Sequence, residues 1–274
     1  MAKTARPITQ AAPVLKPILK WAGGKRWLVP HLMPLWDRYR EARPDGRLVE
    51  PFCGSLAVTL GLRPERALLN DINEHVVHFH DWVRRGLRID IEMENDADLY
   101  YRHRARFNEL IAEGRQDSAE AASLFYYLNR TGYNGLCRFN RDGLFNVPFG
   151  RYKTIGYRRT FDEYQQVFAE WTFTSGDFTA MAVQPGDFVY ADPPYDVEFR
   201  QYSAGGFTWA DQVRLAEWLA ALDGPVVASN QATDRIVHLY RSLGFRMVFI
   251  DAPRRISCTG DRRPAREMLA YKGL

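Results

Sequence analysis

The sequence predicts an α/β protein: a largely parallel sheet covered on both faces, with an inserted helical segment that carries a β-hairpin. Three observations predict this. Residues 47–71 run strand, glycine loop, helix, strand, acid, the sequence form of a βαβ unit with an acid at its end. The last third repeats the alternation of strands and helices. Between them, residues from about 74 to 159 break the pattern with two helical stretches and a hairpin signal.

At 274 residues, the chain has room for a substantial core, in one large domain or two. Its 46% hydrophobic and 26% charged residues are ordinary for a folded globular chain, which excludes a disordered one. No apolar stretch approaches the roughly 20 residues that span a bilayer. The opening "MAKTARPITQAAPVLK" has no secretory apolar core and reads as a flexible lead-in to about residue 15. Cys53, Cys137 and Cys258 form no close pair, which disfavours a disulfide framework or a zinc knuckle and favours a reducing cytoplasm. No obligatory protein partner is evident.

Taking the elements in order, "RLVEPFCGSLAVTLGL" (47–62) reads as a short strand, a tight loop and a helix of small and apolar residues. "RALLND" follows as a second strand ending in Asp71. The loop lacks the full G-x-G-x-x-G pattern, so a plain strand-to-helix turn competes with nucleotide binding. Its distance from Asp71 is close to the roughly 20 residues that put an acid beside ribose hydroxyls. No Walker Lys-Ser/Thr follows, which disfavours triphosphate hydrolysis. A nucleoside without a long phosphate tail, such as S-adenosylmethionine, fits better.

In the middle stretch, "DADLYYRHRARFNELIAEG" and "SAEAASLFYYLNR" look helical. "LCRFNRDGLFNV" has two short alternating runs around Asp142-Gly143, a hairpin signal. Charge gathers here. The net charge is +4, yet residues 130–159 hold seven basic side chains (Arg130, Arg138, Arg141, Arg151, Lys153, Arg158, Arg159) against Asp142 alone, and residues 1–36 hold six basic and no acidic ones. A polyanion partner favours such a window; a solvated arginine-rich loop fits the charge as well.

The final third opens with "DFVYAD", a strand running into "PPY". Proline has no N–H and a fixed φ, so the strand stops there. Asp192 and a backbone carbonyl held by Pro193 and Pro194 could both accept hydrogen bonds from one NH₂ group. An aromatic amine is a poor nucleophile, and two acceptors stabilise the positive charge that develops on it during methyl transfer. Tyr195 offers a face for a planar base. A turn that merely ends a buried strand is the bland alternative. Thr208 with Asp211 predicts a capping box for a helix through Leu222, with Leu215, Trp218, Leu219 and Leu222 on one face. "PVVASN", "FRMVFI" and "EMLAY" read as further strands. His75, His78 and His80 are spaced like ligands, but no Cys or acid completes a metal set, and they belong to a helix after Asn73. No metal is expected. No Pro-Cys dipeptide occurs, which disfavours attack on a cytosine carbon.

The blocks "KWAGGKRWLVPHL", "LVEPFCGSLAV", "LNDIN", "LNRTGYNGLCRFNRDGLFNVPFGRYK", "VYADPPY" and "RRISCTG" together resemble the Dam-type DNA adenine methyltransferases, in that family's order. The resemblance implies a Rossmann-like, S-adenosylmethionine-dependent methyltransferase sheet made of residues 1–73 and 160–274. Residues 74–159 would form the target-recognition domain. It implies methylation of adenine N6 in double-stranded DNA, generally in GATC, after base flipping, and S-adenosylhomocysteine as product. Trp21, Lys25, Phe52, Gly54, Asp71 and Asp192 would meet the cofactor, and Asp192, Pro193, Pro194 and Tyr195 the flipped adenine. Tyr133 would wedge into the base stack, Asn134 would face the orphaned thymine, and Arg138 would read a guanine. Lys20, Pro148, Tyr152 and Lys153 would also lie on the DNA. Leu56 stands where many relatives carry a second glycine, and the roles of Arg262 and Arg263 stay open. An RNA substrate and a DNA-binding module without catalysis are the competing readings. The wedge and hairpin residues speak against the first, the intact "DPPY" and Asp71 against the second.

Overall fold

Along each central strand, successive side chains enter two different hydrophobic clusters. Leu48, Leu69, Phe188, Tyr190, Val227 and Leu269 belong to one; Val49, Leu68, Val189, Ala191, Val226, Ala228, Met268 and Ala270 belong to the other. This period of two marks a sheet buried on both faces. In the computed structural model, which describes residues 15–196, 206–252 and 265–274, the strands are β1 (Arg47–Glu50), β2 (Arg66–Asp71), β3 (Trp171–Ser175), β4 (Phe188–Ala191), β5 (Val226–Gln231), β6 (Arg246–Ala252) and β7 (Ala265–Lys272). Their order is β3-β2-β1-β4-β5-β7-β6. The first five in that order are parallel, and β7 runs antiparallel to both of its neighbours. The lead-in before residue 15, the "RRISCTG" block with Cys258, and Arg262 and Arg263 lie outside the described residues.

Helices α1 (Val29–Ala42), α3 (Glu74–Arg84), α4 (Ala97–Ala112), α5 (Ala119–Thr131) and α6 (Asp162–Phe168) supply the first cluster, while α7 (Trp209–Ala221) and α8 (Asp234–Ser242) cover the opposite face. Polar N-caps start most of them. Asn73, Asp96, Ser118 and Thr233 each accept a backbone N–H of the first turn. The expected capping box of Thr208 and Asp211 is formed, with Leu215 and Leu219 on the buried face of α7. Among the described residues, no helix is long and apolar enough to cross a membrane.

Two sequence expectations need correction. The helix expected after the glycine loop shrinks to α2 (Thr59–Leu62), because residues 51–58 spend their length in turns and Arg63 closes it in a left-handed conformation. The hairpin does not form two strands: its arms meet in the isolated bridges Phe139↔Phe145 and Gly132↔Phe149. Its tip is a three-residue turn in which Gly143 N–H donates to Asn140 O at 3.1 Å and Gly143 takes φ +75°. α3 packs against β3 as well as α5, and the helices of residues 74–131 share one hydrophobic cluster with the sheet.

Candidate active site

The chain moves outward from β1 through β2 to β3, then returns to β4 and moves the other way to β5. In an open parallel sheet, ligands bind in the crevice beyond the strand ends at such a reversal. The register Leu48↔Phe188 and Val49↔Val189 sets the glycine loop and the Asp192–Tyr195 turn side by side there.

The loop after β1 needs glycine at position 54. Its φ is +44°, and a Cβ would come within 2.6 Å of Trp21 Nε1. Gly54 N–H donates to Asp71 Oδ2 and Asn73 N–H to Asp71 Oδ1, each at 2.9 Å. Asp71 is thus fixed at the end of β2, with lone pairs left on both oxygens. From α3, His80 Nε2 donates to the Gly54 carbonyl at 2.9 Å. Burial lowers the His80 pKa to about 4, so the ring is neutral. Leu56 also has a left-handed backbone, φ +62°, a conformation that glycine adopts more easily. Strain of about 1–2 kcal/mol is offset by complete burial of the leucine, worth about 1.5–3 kcal/mol. Phe52 packs against Phe178 and Phe207, ring centroids 5.7 Å away in both cases. Ile72, next to Asp71, is 73% exposed and adds apolar surface at the rim. An anchored acid with spare lone pairs, a glycine that admits close approach and an apolar rim suit the ribose and base of a nucleoside cofactor.

At the end of β4, Asp192 Oδ1 accepts Ser229 Oγ–H at 2.7 Å and lies 3.5 Å from Lys25 Nζ. Burial raises the Asp192 pKa to about 6, against the pull of Lys25 and Ser229. The Pro194 carbonyl accepts Gln212 Nε2–H at 2.8 Å, and Gln212 is itself held by Asn230 Nδ2 at 3.0 Å. Among the described residues, Asp192 Oδ2 and the Pro193 carbonyl have no hydrogen-bond partner. The Tyr195 hydroxyl donates to Glu267 Oε2 at 2.6 Å, and Lys25 Nζ sits 4.2 Å from the centre of its ring. Lys25 therefore stands at the junction of Asp192, Tyr195 and Glu267, 3.8 Å from the last.

The remaining candidates gather beside the hairpin. Lys20 Nζ donates to the Arg130 carbonyl at 2.8 Å and lies 3.6 Å from the Tyr152 ring centre. Burial and the Arg130 charge lower its pKa to about 8. Asn129 grips the Lys20 backbone through both its amide atoms. Tyr152 OH donates to the Gly132 carbonyl and Tyr133 N–H to the Pro148 carbonyl, which ties Pro148 and Tyr152 to the base of the hairpin. Tyr133 is 51% exposed, and Asn134 next to it takes φ +53°. Arg138 does not pair with Asp142. Its Nε donates to Asn146 Oδ1 at 2.7 Å and an Nη to the Asn146 carbonyl at 3.1 Å. The basic patch is narrower than its sequence count. Arg130 and Arg159 bind backbone carbonyls and Arg158 pairs with Glu163. Arg141, Arg151 and Lys153 are exposed and meet no acid among the described residues.

The three histidines part company. His75 stacks on Phe139 at 4.6 Å, His78 reaches the Gln116 carbonyl, and His80 holds Gly54. Glu267, Ser229, Gln212 and Ile72 were not singled out from the sequence. Ser229 and Glu267 stand two residues from Val227 and Leu269, in segments the sequence marks simply as strands; a polar residue in step with buried apolar ones is the available signal.

An anchored acid on one side of the switch point and an acceptor pair on the other suit a nucleoside cofactor and a planar amine. The profile of the D12 class N6 adenine-specific DNA methyltransferase family matches residues 21–256. The chain is 37% identical to the retron Ec67 DNA adenine methylase of Escherichia coli over 93% of its length and 91% of that protein. It is 35% identical to the DNA adenine methylase of Escherichia coli K12, over 93% and 94% of the two chains. To the DNA N-6-adenine-methyltransferase of Escherichia phage P1 it is 32% identical, over 94% of this chain and 35% of that one. The chain belongs to the D12 class N6 adenine-specific DNA methyltransferase family. It is an S-adenosylmethionine-dependent enzyme that methylates adenine N6 in DNA.

Proposed function

We propose that the enzyme flips an adenine out of duplex DNA at GATC sites and holds its amine between Asp192 Oδ2 and the Pro193 carbonyl. One observation carries the reading: the other two acceptors of the turn, Asp192 Oδ1 and the Pro194 carbonyl, are already bonded to Ser229 and Gln212. The amine's two hydrogens meet the remaining two. Acceptance by both withdraws the nitrogen lone pair from the ring and stabilises the developing positive charge. S-adenosylmethionine supplies the methyl group on a sulfonium and leaves as S-adenosylhomocysteine. Asp71 would hold the ribose, Ile72 and Phe52 would border the base, and Trp21 and Gly54 would bound the loop. Tyr195 stacks on the adenine through the ring face away from Lys25.

Residues 1–73 and 160–274 form the catalytic part in this reading, and residues 74–159 form the part that faces the target. Tyr133 serves as the wedge, Asn134 meets the unpaired thymine, and Arg138 with Lys20 reads bases. Pro148, Tyr152 and Lys153 border the duplex, and Arg141, Arg151 and Lys153 face phosphates. Expression in a bacterium that lacks adenine methylation tests it. The DNA should become resistant to a nuclease blocked by methylated GATC and sensitive to one that requires it. Methylation found only in other sequences would refute the GATC assignment.

A further inference from the structure

Glu267 enters the site from β7, a strand with no part in the recognised motifs, and is only 8% exposed. A carboxylate is rarely buried unless its oxygens are engaged. Each of its oxygens has one partner in the site: Oε2 accepts the Tyr195 hydroxyl at 2.6 Å, and Oε1 lies 3.8 Å from Lys25 Nζ. The same ammonium reaches Asp192 and covers one face of the Tyr195 ring. Tyr195 is therefore fixed at its hydroxyl by Glu267 and against one face by Lys25. We propose that Glu267 is a positioning residue for methyl transfer, fixing through the Tyr195 hydroxyl the ring on which the target adenine stacks.

This rests on the reading of Asp192 and Tyr195 as the adenine site. A misplaced stacking ring displaces the amine from its acceptors, and small misplacements cost up to about a hundredfold in rate. The charge acts separately. Asp192 is faced by Lys25 from before α1, Glu50 from β1, Tyr190 from β4, Glu267 from β7, and by Tyr195. Of these, Glu267 is a negative neighbour that makes ionisation harder. Removing its charge lowers the pKa of Asp192, so the acid limb of the pH–rate profile moves to lower pH.

Two substitutions separate the roles. Glu267→Ala deletes acceptor and charge together; its single-turnover rate should fall about ten- to a hundredfold. Glu267→Gln keeps an acceptor for the hydroxyl; at alkaline pH its rate should stay within about threefold of wild type, with the acid limb shifted down. In a Tyr195→Phe background, where the hydroxyl is gone, Glu267→Ala should add little further loss at alkaline pH. Wild-type rate and pH profile in both Glu267 variants, with Asp192→Ala inactive, would overturn the proposal alone, as would full additivity with Tyr195→Phe. Wild-type rate in Asp192→Ala would instead overturn the site reading beneath it.

Discussion

Asp192→Ala is expected to lower the single-turnover methyl-transfer rate at least about a hundredfold, the range for losing one preorganised electrostatic group. The substitution removes one of the two acceptors left free at the turn and leaves Lys25 with Glu267 alone. DNA affinity should persist, because Arg141, Arg151 and Lys153 lie on the hairpin side and not in the crevice. In the wild type, Asp192 must be ionised to accept both an amine hydrogen and the Ser229 hydroxyl. With its pKa raised to about 6, kcat/KM should fall as the pH drops through about 6. Stability runs the other way. A carboxyl whose folded-state pKa lies above the usual value near 3.9 contributes stability that is fully present below about 4 and is lost as the pH rises through 6. The alanine variant also loses the Lys25 ion pair, so its melting temperature is measured beside its rate to separate lost chemistry from unfolding. Near-normal single-turnover methylation would remove Asp192 from the mechanism.

Arg138→Ala should lose about ten- to a hundredfold in preference at one base position, since a guanidinium paired with guanine discriminates by about 1–3 kcal/mol. Asn146 holds the Nε side of the guanidinium across the hairpin, leaving the end of the fork to meet two acceptors. A side chain already oriented gives up less rotamer freedom on binding. Activity on a site already altered at that position should hardly change. Kinetics on duplexes substituted at each position of the site check this; equal weakening on all of them would make Arg138 a phosphate contact.

The chemistry-bearing turns were legible because their residues are locally improbable. Pro193 and Pro194 after an apolar strand, and Gly54 ahead of Asp71, announce a strand end and a tight loop by themselves. The stretches of α4 and α5 look helical in the sequence, and α7 is legible from its capping box and one apolar face. What the sequence hid is what the sheet order assembles. Ser229 and Glu267 reach Asp192 and Tyr195 because β5 lies between β4 and β7, and no local pattern encodes that adjacency. The strand β3 was missed because Trp171–Ser175 is a short edge strand, and only Trp171 is fully buried. The hairpin pairs over a shorter length than two strands need: two backbone hydrogen bonds, Asn140 N–H to the Leu144 carbonyl and Asn146 N–H to the Arg138 carbonyl, join its arms around Phe139 and Phe145, whose rings reach the core at His75 and Phe107. Arg130, Arg158 and Arg159 looked like phosphate ligands by charge, yet each is engaged within the fold, two of them on backbone carbonyls that sequence cannot reveal.

The most direct measurement is nucleoside mass spectrometry of a duplex oligonucleotide with one GATC site, after incubation with the purified enzyme and S-adenosylmethionine. The account predicts N6-methyladenine in that site as the sole new base, formed by the wild type and lost with Asp192→Ala. Methyl groups on cytosine, or N6-methyladenine formed equally by the Asp192→Ala variant, would contradict it.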